Sequence, residues 1–140
     1  MKSNEDQHIV LSWAGKDDAI DVKPGVLLYD KERSYGDQNT QNLLIHGDNL
    51  PALKTLEPEY AGKVKCIYID PPYNSQVVFE NYNDKMEHTK WLKLMKTRLE
   101  ILRVLLASDG LIFVQIDNSE LHYLKVLMDE IFGRQNYRNS

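Results

Sequence analysis

The chain has 140 residues, of which 42% are hydrophobic and 27% charged, and its formal net charge is −4 at pH 7. These proportions are typical of a soluble globular protein with one ordinary domain. No apolar run approaches the roughly 18 residues of a membrane span, and the polar N-terminus is unlike a secretory signal. We therefore expect a cytoplasmic protein without a membrane partner. The negative charge argues against an autonomous nucleic-acid-binding domain, which usually carries a basic patch.

Residues 1–41 show no convincing hydrophobic period and are interrupted by glycine, proline and polar clusters. We interpret this stretch as an N-terminal arm with one short strand at residues 25–29 (GVLLY). The remainder, residues 42–140, alternates between short apolar runs and longer periodic ones. That alternation predicts an α/β domain with a mostly parallel sheet.

The first predicted strand of this domain is the apolar run at residues 43–46, which ends at Gly47. Asn49 is a suitable N-cap for a helix over residues 50–57, with Pro51 in its first turn. Asp48 then follows the carboxyl end of a strand. One interpretation is that the Asp48 side chain caps this helix.

Residues 64–74 read VKCIYIDPPYN and carry the strongest functional signal in the chain. The run Val64–Ile69 is rich in β-branched and aromatic residues and predicts a strand buried on both faces, with Cys66 packed inside. The two prolines cannot continue a strand, because each lacks an N–H and fixes its φ. Asp70 is therefore predicted at the carboxyl end of the strand, where open α/β sheets bind ligands.

The loop after this strand has the groups needed to hold a planar amine. Asp70 offers a carboxylate acceptor, the Pro71 carbonyl a second acceptor, and Tyr73 a flat ring. An exocyclic amine of a nucleobase is a poor nucleophile, and accepting its N–H bonds offsets the charge that develops in the transition state. A base inside a duplex would have to flip out to reach the loop, stacking on Tyr73. Taken alone, the four residues also suit a turn that merely ends the strand.

Two helices and a third strand are predicted downstream. The longest helix is opened by Asp84 and Glu87 as a capping box. Its core stripe consists of Trp91, Met95, Leu99, Leu102 and Leu106. The helix is predicted to end at residues 108–110. A strand buried on both faces is predicted at 111–116, and a last helix at 120–132, which Gly133 stops. The four scattered histidines lack metal-ligand spacing, so no metal site is predicted.

The sequence resembles a known family at this point, the DNA amino-methyltransferases that use S-adenosylmethionine (SAM). Their target-base loop reads D/N/S-P-P-Y/F, which Asp70-Pro71-Pro72-Tyr73 matches. The flanking segments LLIHGDNLPALKTL (43–56) and WLKLMKTRLEILRVLLASDGLIFVQIDNSELHYLKVLMDEIFG (91–133) extend the likeness over about 90 residues. The chain is similar to the N-terminal part of a β-type adenine methyltransferase, in particular the modification subunit of type III restriction–modification systems.

The resemblance implies a role for each residue of the loop. Asp70, Pro71, Pro72 and Tyr73 would be catalytic, and Asn74 would contact the substrate. An acid at Asp48 would lie near the adenine ring of SAM. Double-stranded DNA is the implied substrate, and a restriction subunit and a second modification subunit are the implied protein partners.

The glycine-rich turn that such a fold needs for SAM is absent, because the sequence contains no G-x-G. We therefore expect residues 42–140 to be the catalytic half of a methyltransferase domain with a partial Rossmann-like fold, lacking its SAM-binding half. Alone it is expected to fold poorly or associate, to bind no SAM and to be inactive. Alternatives are an enzyme acting on the cytosine amino group, for which serine is commoner than aspartate at position 70, and a non-catalytic assembly or DNA-binding module.

Overall fold

The computed structural model describes residues 9–37, 39–75 and 86–140. Its regular elements are three α-helices and two β-strands. In chain order they are α1 (Asn49–Tyr60), β1 (Val64–Ile69), α2 (His88–Leu105), β2 (Leu106–Val114) and α3 (Leu121–Phe132), followed by a short 3-10 turn (Arg134–Asn136). Asp84, half of the predicted capping box, lies outside the described residues.

β1 and β2 form a parallel pair connected through α2. In the register, Tyr68 lies opposite Phe113 and Ile69 opposite Val114. Parallel strands require a crossover, and a helix of this length supplies it. The predicted α/β class is confirmed.

The hydrophobic core lies between the helices and one face of this sheet. Its fully buried side chains are Trp91, Leu92, Met95, Leu99 and Leu127. Ile67 of β1 is buried against this cluster. The predicted stripe of α2 is therefore confirmed through Leu102.

The prediction that both strands are buried on two faces was wrong. Tyr68 is 63% exposed, Cys66 is exposed as well, and Leu111 and Phe113 of β2 are about half exposed. Alternate residues of a strand point to opposite faces. The described helices cover only the face that carries Ile67, so the other face remains open.

Two further strand predictions were wrong. Residues 43–46 and 25–29 form no strand, and Leu44 is 99% exposed. A strand needs a partner for its backbone groups, and in the described part of the chain β1 and β2 pair only with each other. Residues near Gly25 contact α1 instead, since Gly25 N–H donates to the Pro51 carbonyl at 3.3 Å.

The boundary between α2 and β2 also differs from the prediction. The helix ends at Leu105, and Leu106 already lies in the strand, so residues 108–110 belong to β2 rather than to a helix end. A register irregularity between Val64 and Cys66 accommodates the extra residues of β2. Gly133 ends α3 with a φ of 89°, as the sequence predicted.

None of the described helices is both long enough and apolar enough to cross a bilayer.

Candidate functional site

The predicted target-base loop directly follows β1. Asp70 is exposed at the carboxyl end of the strand, and Pro71, Pro72 and Tyr73 are half-buried. No hydrogen bond from the described residues engages the Asp70 carboxylate or the Pro71 carbonyl. Both acceptors predicted for an amine are therefore available at the same end of the sheet.

The middle of the loop is held by the core. Trp91 is fully buried in the first turn of α2, and its indole Nε1 donates to the Pro72 carbonyl at 2.7 Å. A buried indole N–H normally finds such a partner. Sequence periodicity had identified Trp91 only as a core residue. Its second function is to fix the backbone of the loop next to Pro71.

Tyr73 is held in place by a hydrogen bond from the residue that follows β2. Gln115, the residue after β2, donates from Nε2 to the Tyr73 hydroxyl at 2.6 Å and accepts a hydrogen bond from the Tyr68 hydroxyl at Oε1. Its backbone N–H also donates to the Ile69 carbonyl at 2.9 Å. Gln115 thus connects the base of the loop with the tyrosine ring, a contribution that sequence reasoning missed.

Asn74 ends the loop with an unusual backbone conformation. Its φ of 55° is in the left-handed region, which asparagine tolerates better than most residues. The side chain is buried, donates to Glu120 Oε1 at 2.6 Å and accepts from the Met86 N–H at 2.7 Å. Contact between Asn74 and a substrate stays a prediction, and this geometry gives it no support.

Asp48 lies at the start of α1, where its Oδ1 accepts from the Leu50 N–H at 2.9 Å. The helix-capping interpretation of Asp48 is confirmed, and the prediction of Asn49 as the cap was wrong. Aspartate and asparagine have the same length and both cap helices well, and the helix begins one residue earlier than predicted, which places Asp48 at the cap position. Contact between Asp48 and a cofactor stays a prediction.

Arg98 of α2 joins this region to the rest of the domain. Its Nε donates to Asn49 Oδ1 at 2.7 Å, and its Nη2 lies 3.6 Å from Asp48 Oδ1. Partial burial lowers the pKa of the Arg98 guanidinium, and the nearby Asp48 charge acts in the opposite direction. An arginine stays protonated through the physiological range despite such a shift, so Arg98 remains a fixed positive charge beside Asp48.

Comparison with known proteins identifies relatives for most of this chain. A sequence model of the DNA methylase family matches residues 64–140. The chain is 57% identical over 99 residues to the probable type III restriction-modification enzyme HindVI Mod subunit of Haemophilus influenzae, covering 71% of this chain and 13% of that protein. It is 37% identical over 163 aligned positions to the type III restriction-modification enzyme EcoP15I Mod subunit of Escherichia coli, covering 91% and 25%.

A third relative comes from another class of system. Type II methyltransferase M.EcaI of Enterobacter cloacae is 39% identical over 104 residues, covering 70% of this chain and 23% of that protein. The chain therefore spans about a quarter or less of the length of these relatives. The family match includes β1, the target-base loop, α2, β2 and α3, and covers more than half of the residues. This chain belongs to the DNA methylase family.

Proposed function

We propose that this chain carries the amine-binding part of the active site of a SAM-dependent DNA methyltransferase, acting on the exocyclic amine of a flipped adenine. The observation that carries the proposal is the target-base loop itself. Asp70 and the Pro71 carbonyl accept no hydrogen bond from the described residues at the carboxyl end of β1, while Gln115 and Trp91 hold Ile69 and Pro72 on either side. The family match and the relatives' names support the same reaction class.

The proposed chemistry depends on two hydrogen-bond acceptors, Asp70 and the Pro71 carbonyl, that bind the same amine. The adenine N6 lone pair is delocalised into the ring, which makes the nitrogen a weak nucleophile. Hydrogen bonds from its two N–H groups to Asp70 and the Pro71 carbonyl would favour the tetrahedral geometry of the reacting nitrogen. They would also stabilise the positive charge that develops there, so they act chiefly in the transition state. Tyr73 would stack on the extruded base.

Asp48 is the residue for which a contact with SAM is proposed. Its side chain is 69% exposed and one oxygen has no helix-capping role, so it fits a single hydrogen bond to the cofactor. The glycine-rich turn that brings backbone close to such a group is absent from the sequence. The described residues therefore fit only a small part of a SAM site. When bound, SAM supplies the methyl group, and the residues of this chain hold the amine that receives it.

The proposed partners follow from the substrate and from the relatives' names. Double-stranded DNA is the proposed substrate, and the Mod subunits of type III restriction–modification enzymes among the relatives support membership of such a system. A restriction subunit and a second modification subunit are the proposed protein partners. The net charge of −4 indicates that these residues alone bind the phosphates of DNA weakly.

The test is a methyl-transfer assay on the product of the full reading frame that encodes this chain. Unmethylated duplex DNA is incubated with tritium-labelled SAM, then hydrolysed, and its nucleosides are identified by mass spectrometry. N6-methyladenine supports the proposal. N4-methylcytosine would replace it with the cytosine alternative, and DNA binding without any transfer would favour a non-catalytic module.

The control within this assay is Asp70→Ala. Methyl transfer should fall by orders of magnitude, about a thousandfold or more, while the dissociation constant for SAM changes little, because Asp70 acts mainly in the transition state. The matched variant is Asp17→Ala, which removes an exposed acid of the arm and should leave the rate unchanged. Unaltered transfer by Asp70→Ala would contradict the assignment.

A further inference from the structure

A buried carboxylate lies directly behind the target-base loop. Glu120, the residue before α3, is only 4% exposed. Its Oε1 accepts hydrogen bonds from Asn74 Nδ2 at 2.6 Å and from His88 Nδ1 at 3.0 Å. Burying a carboxylate is costly unless hydrogen bonds compensate. Glu120 therefore holds these two donors together, although they come from different parts of the chain.

His88 is itself fixed in place. It is the first residue of α2, and its ring packs edge-on against Tyr123 of α3 with centroids 4.4 Å apart. Its Nδ1 lies 2.9 Å from the other carboxylate oxygen of Glu120 as well, with hydrogen-bond geometry only to Oε1. The starts of α2 and α3 are thus joined through a single charged group.

Asn74 attaches the loop to this junction. Its amide donates to Glu120 and its carbonyl oxygen accepts from the backbone N–H of Met86, just before α2. Both ends of the side chain are therefore used in holding a residue with left-handed backbone. Asn74 directly follows Tyr73, so its position determines where the target-base loop ends.

We propose that Asn74, Glu120 and His88, named here the Asn74 clamp, are positioning residues that set the geometry of the target-base loop. The clamp follows two backbone attachments of the loop, the hydrogen bonds from Gln115 N–H to Ile69 and from Trp91 to Pro72, while Gln115 Nε2 holds the Tyr73 hydroxyl. Tyr73 lies between the second attachment and the clamp. Releasing the clamp would free the backbone that follows Tyr73 and let the ring tilt relative to Asp70 about its hydroxyl, which Gln115 still holds. The inference rests on the proposed function, because the geometry matters only if the loop holds a reacting base.

The experiment exchanges the hydrogen-bond donor and acceptor between Asn74 and Glu120, in the product of the full reading frame. Asn74→Asp places two carboxylates in contact, since the atoms concerned are now 2.6 Å apart, and like charges at that distance repel. Single-turnover methyl transfer should fall about a hundredfold, the usual cost of misplacing a reacting group by about 1 Å. Adding Glu120→Gln supplies an amide donor to the new acid and should restore the rate to within about tenfold of wild type. Dissociation constants for SAM and DNA should stay within about twofold throughout.

Two matched variants separate positioning from folding. His88→Gln retains a polar group at a half-exposed position and should lower the transfer rate about tenfold without a comparable change in melting temperature. His122→Gln makes the same replacement on the exposed surface of α3 and should have no effect. Asn118→Asp, also exposed, is the control for adding an acid.

The outcomes distinguish the two proposals. Full activity of Asn74→Asp would overturn the clamp, and so would a folded double variant as inactive as Asn74→Asp alone. If the double variant does not fold, wild-type transfer by His88→Gln overturns the clamp and a selective loss of rate supports it. Each of the overturning results counts against the clamp alone when Asp70→Ala abolishes transfer in the same assay. If Asp70→Ala has no effect, the proposed function itself fails.

Discussion

The indole Nε1 of Trp91 donates to the carbonyl oxygen of Pro72 at 2.7 Å, which connects the centre of the core to the middle of the target-base loop. Trp91 is fully buried, so its position is set by the packing of α2. Two consecutive prolines restrict the local backbone further, since each fixes its φ. A loop of few residues therefore becomes a rigid part of the domain.

The first prediction tests this connection through Trp91→Phe. The change removes the donor, leaves a half-buried carbonyl without a partner and reduces core volume. We expect the free energy of unfolding to fall by about 1–3 kcal/mol and the methyl-transfer rate of the full reading-frame product to fall with it. Equilibrium urea unfolding and single-turnover transfer measure the two effects.

Trp13→Phe is the matched control for that variant. The Trp13 Nε1 is buried but has no hydrogen-bond partner among the described residues. Removing it therefore eliminates an unpaired donor, and stability should change much less than for Trp91→Phe. Equal losses from the two substitutions would show that ring volume alone, rather than the bond to Pro72, determines the effect.

The second prediction concerns the ring and hydroxyl of Tyr73. If the ring stacks on the flipped base, Tyr73→Ala should weaken base capture by about 1–3 kcal/mol. Tyr73→Phe should be mild, because it loses only the hydrogen bond from Gln115, whose exposed amide can bond to water. Fluorescence of 2-aminopurine at the target position reports extrusion of the base. Equal damage from both variants would assign the main role to the hydroxyl.

Local patterns predicted the parts of this fold that depend on local spacing. The stripe on α2, the strand β1 and its end at Asp70 all follow from residue periodicity and from the geometry of proline. Capping of α1 by Asp48 was one interpretation of the sequence, because Asp48 lies directly before the predicted helix. These features involve residues within one or two helical turns of each other.

Features that depend on distant partners were missed. Residues 43–46 are apolar enough for a strand but have no neighbouring strand in the described structure. Cys66 was expected to be buried because its run is mostly apolar. Glu120 appeared to be an ordinary helix-start residue. Its contact with Asn74 joins positions 46 residues apart, and no spacing rule indicates which buried acid meets which amide.

The third prediction concerns Gly110, at the close approach of β2 to β1. A Cβ added there would lie 2.8 Å from the Val64 carbonyl oxygen and 2.7 Å from Leu106 Cδ1. The side chain of Leu106 can move, but the backbone of Val64 cannot do so without disturbing the strand pair. Gly110→Ala should therefore destabilise the chain by about 1–3 kcal/mol. Urea unfolding measures the change.

Gly25→Ala is the control for this substitution. The nearest atoms to its added Cβ are 3.7 Å away, an ordinary contact distance. Its stability should stay within about 0.5 kcal/mol of wild type. If Gly110→Ala were equally neutral, the strand pair would have to be looser at Gly110 than the structure indicates.

The fourth prediction concerns pH and the exposed ion pair between Lys65 of β1 and Asp109 of β2. The hydrogen bond from Lys65 lowers the pKa of the Asp109 carboxyl below its usual 3.8. A lowered pKa in the folded state means that the pair stabilises the chain fully above pH 3.8, and the contribution is lost as pH falls through the lowered pKa. The effect should be small and should weaken with salt, because both groups are exposed.

Asp109→Asn isolates this contribution. Urea unfolding at a series of pH values should show the variant less stable than wild type by a small constant amount above pH 3.8, and the two stabilities should converge as pH falls through the lowered pKa. Asp17→Ala, which removes an exposed acid without an ion pair among the described residues, should follow wild type throughout. A stability difference between Asp109→Asn and wild type that changes with pH near neutrality would indicate that another titrating group responds to the substitution.

The last prediction concerns the open face of the sheet, formed by Tyr68, Leu111 and Phe113. These side chains are 63%, 51% and 50% exposed, and Tyr68 lies opposite Phe113 in the strand register. A contiguous apolar surface on a sheet whose strands have unpaired edges among the described residues favours association. We expect the 140-residue chain to self-associate at micromolar concentration, and Phe113→Lys to reduce that association without lowering stability, because it alters an exposed position. Sedimentation velocity measures the first effect and urea unfolding the second.

Tyr35→Lys, at a fully exposed tyrosine of the arm, makes a similar change away from the sheet and should associate as wild type does. A monomeric wild-type chain would show that this face does not by itself drive contact between copies.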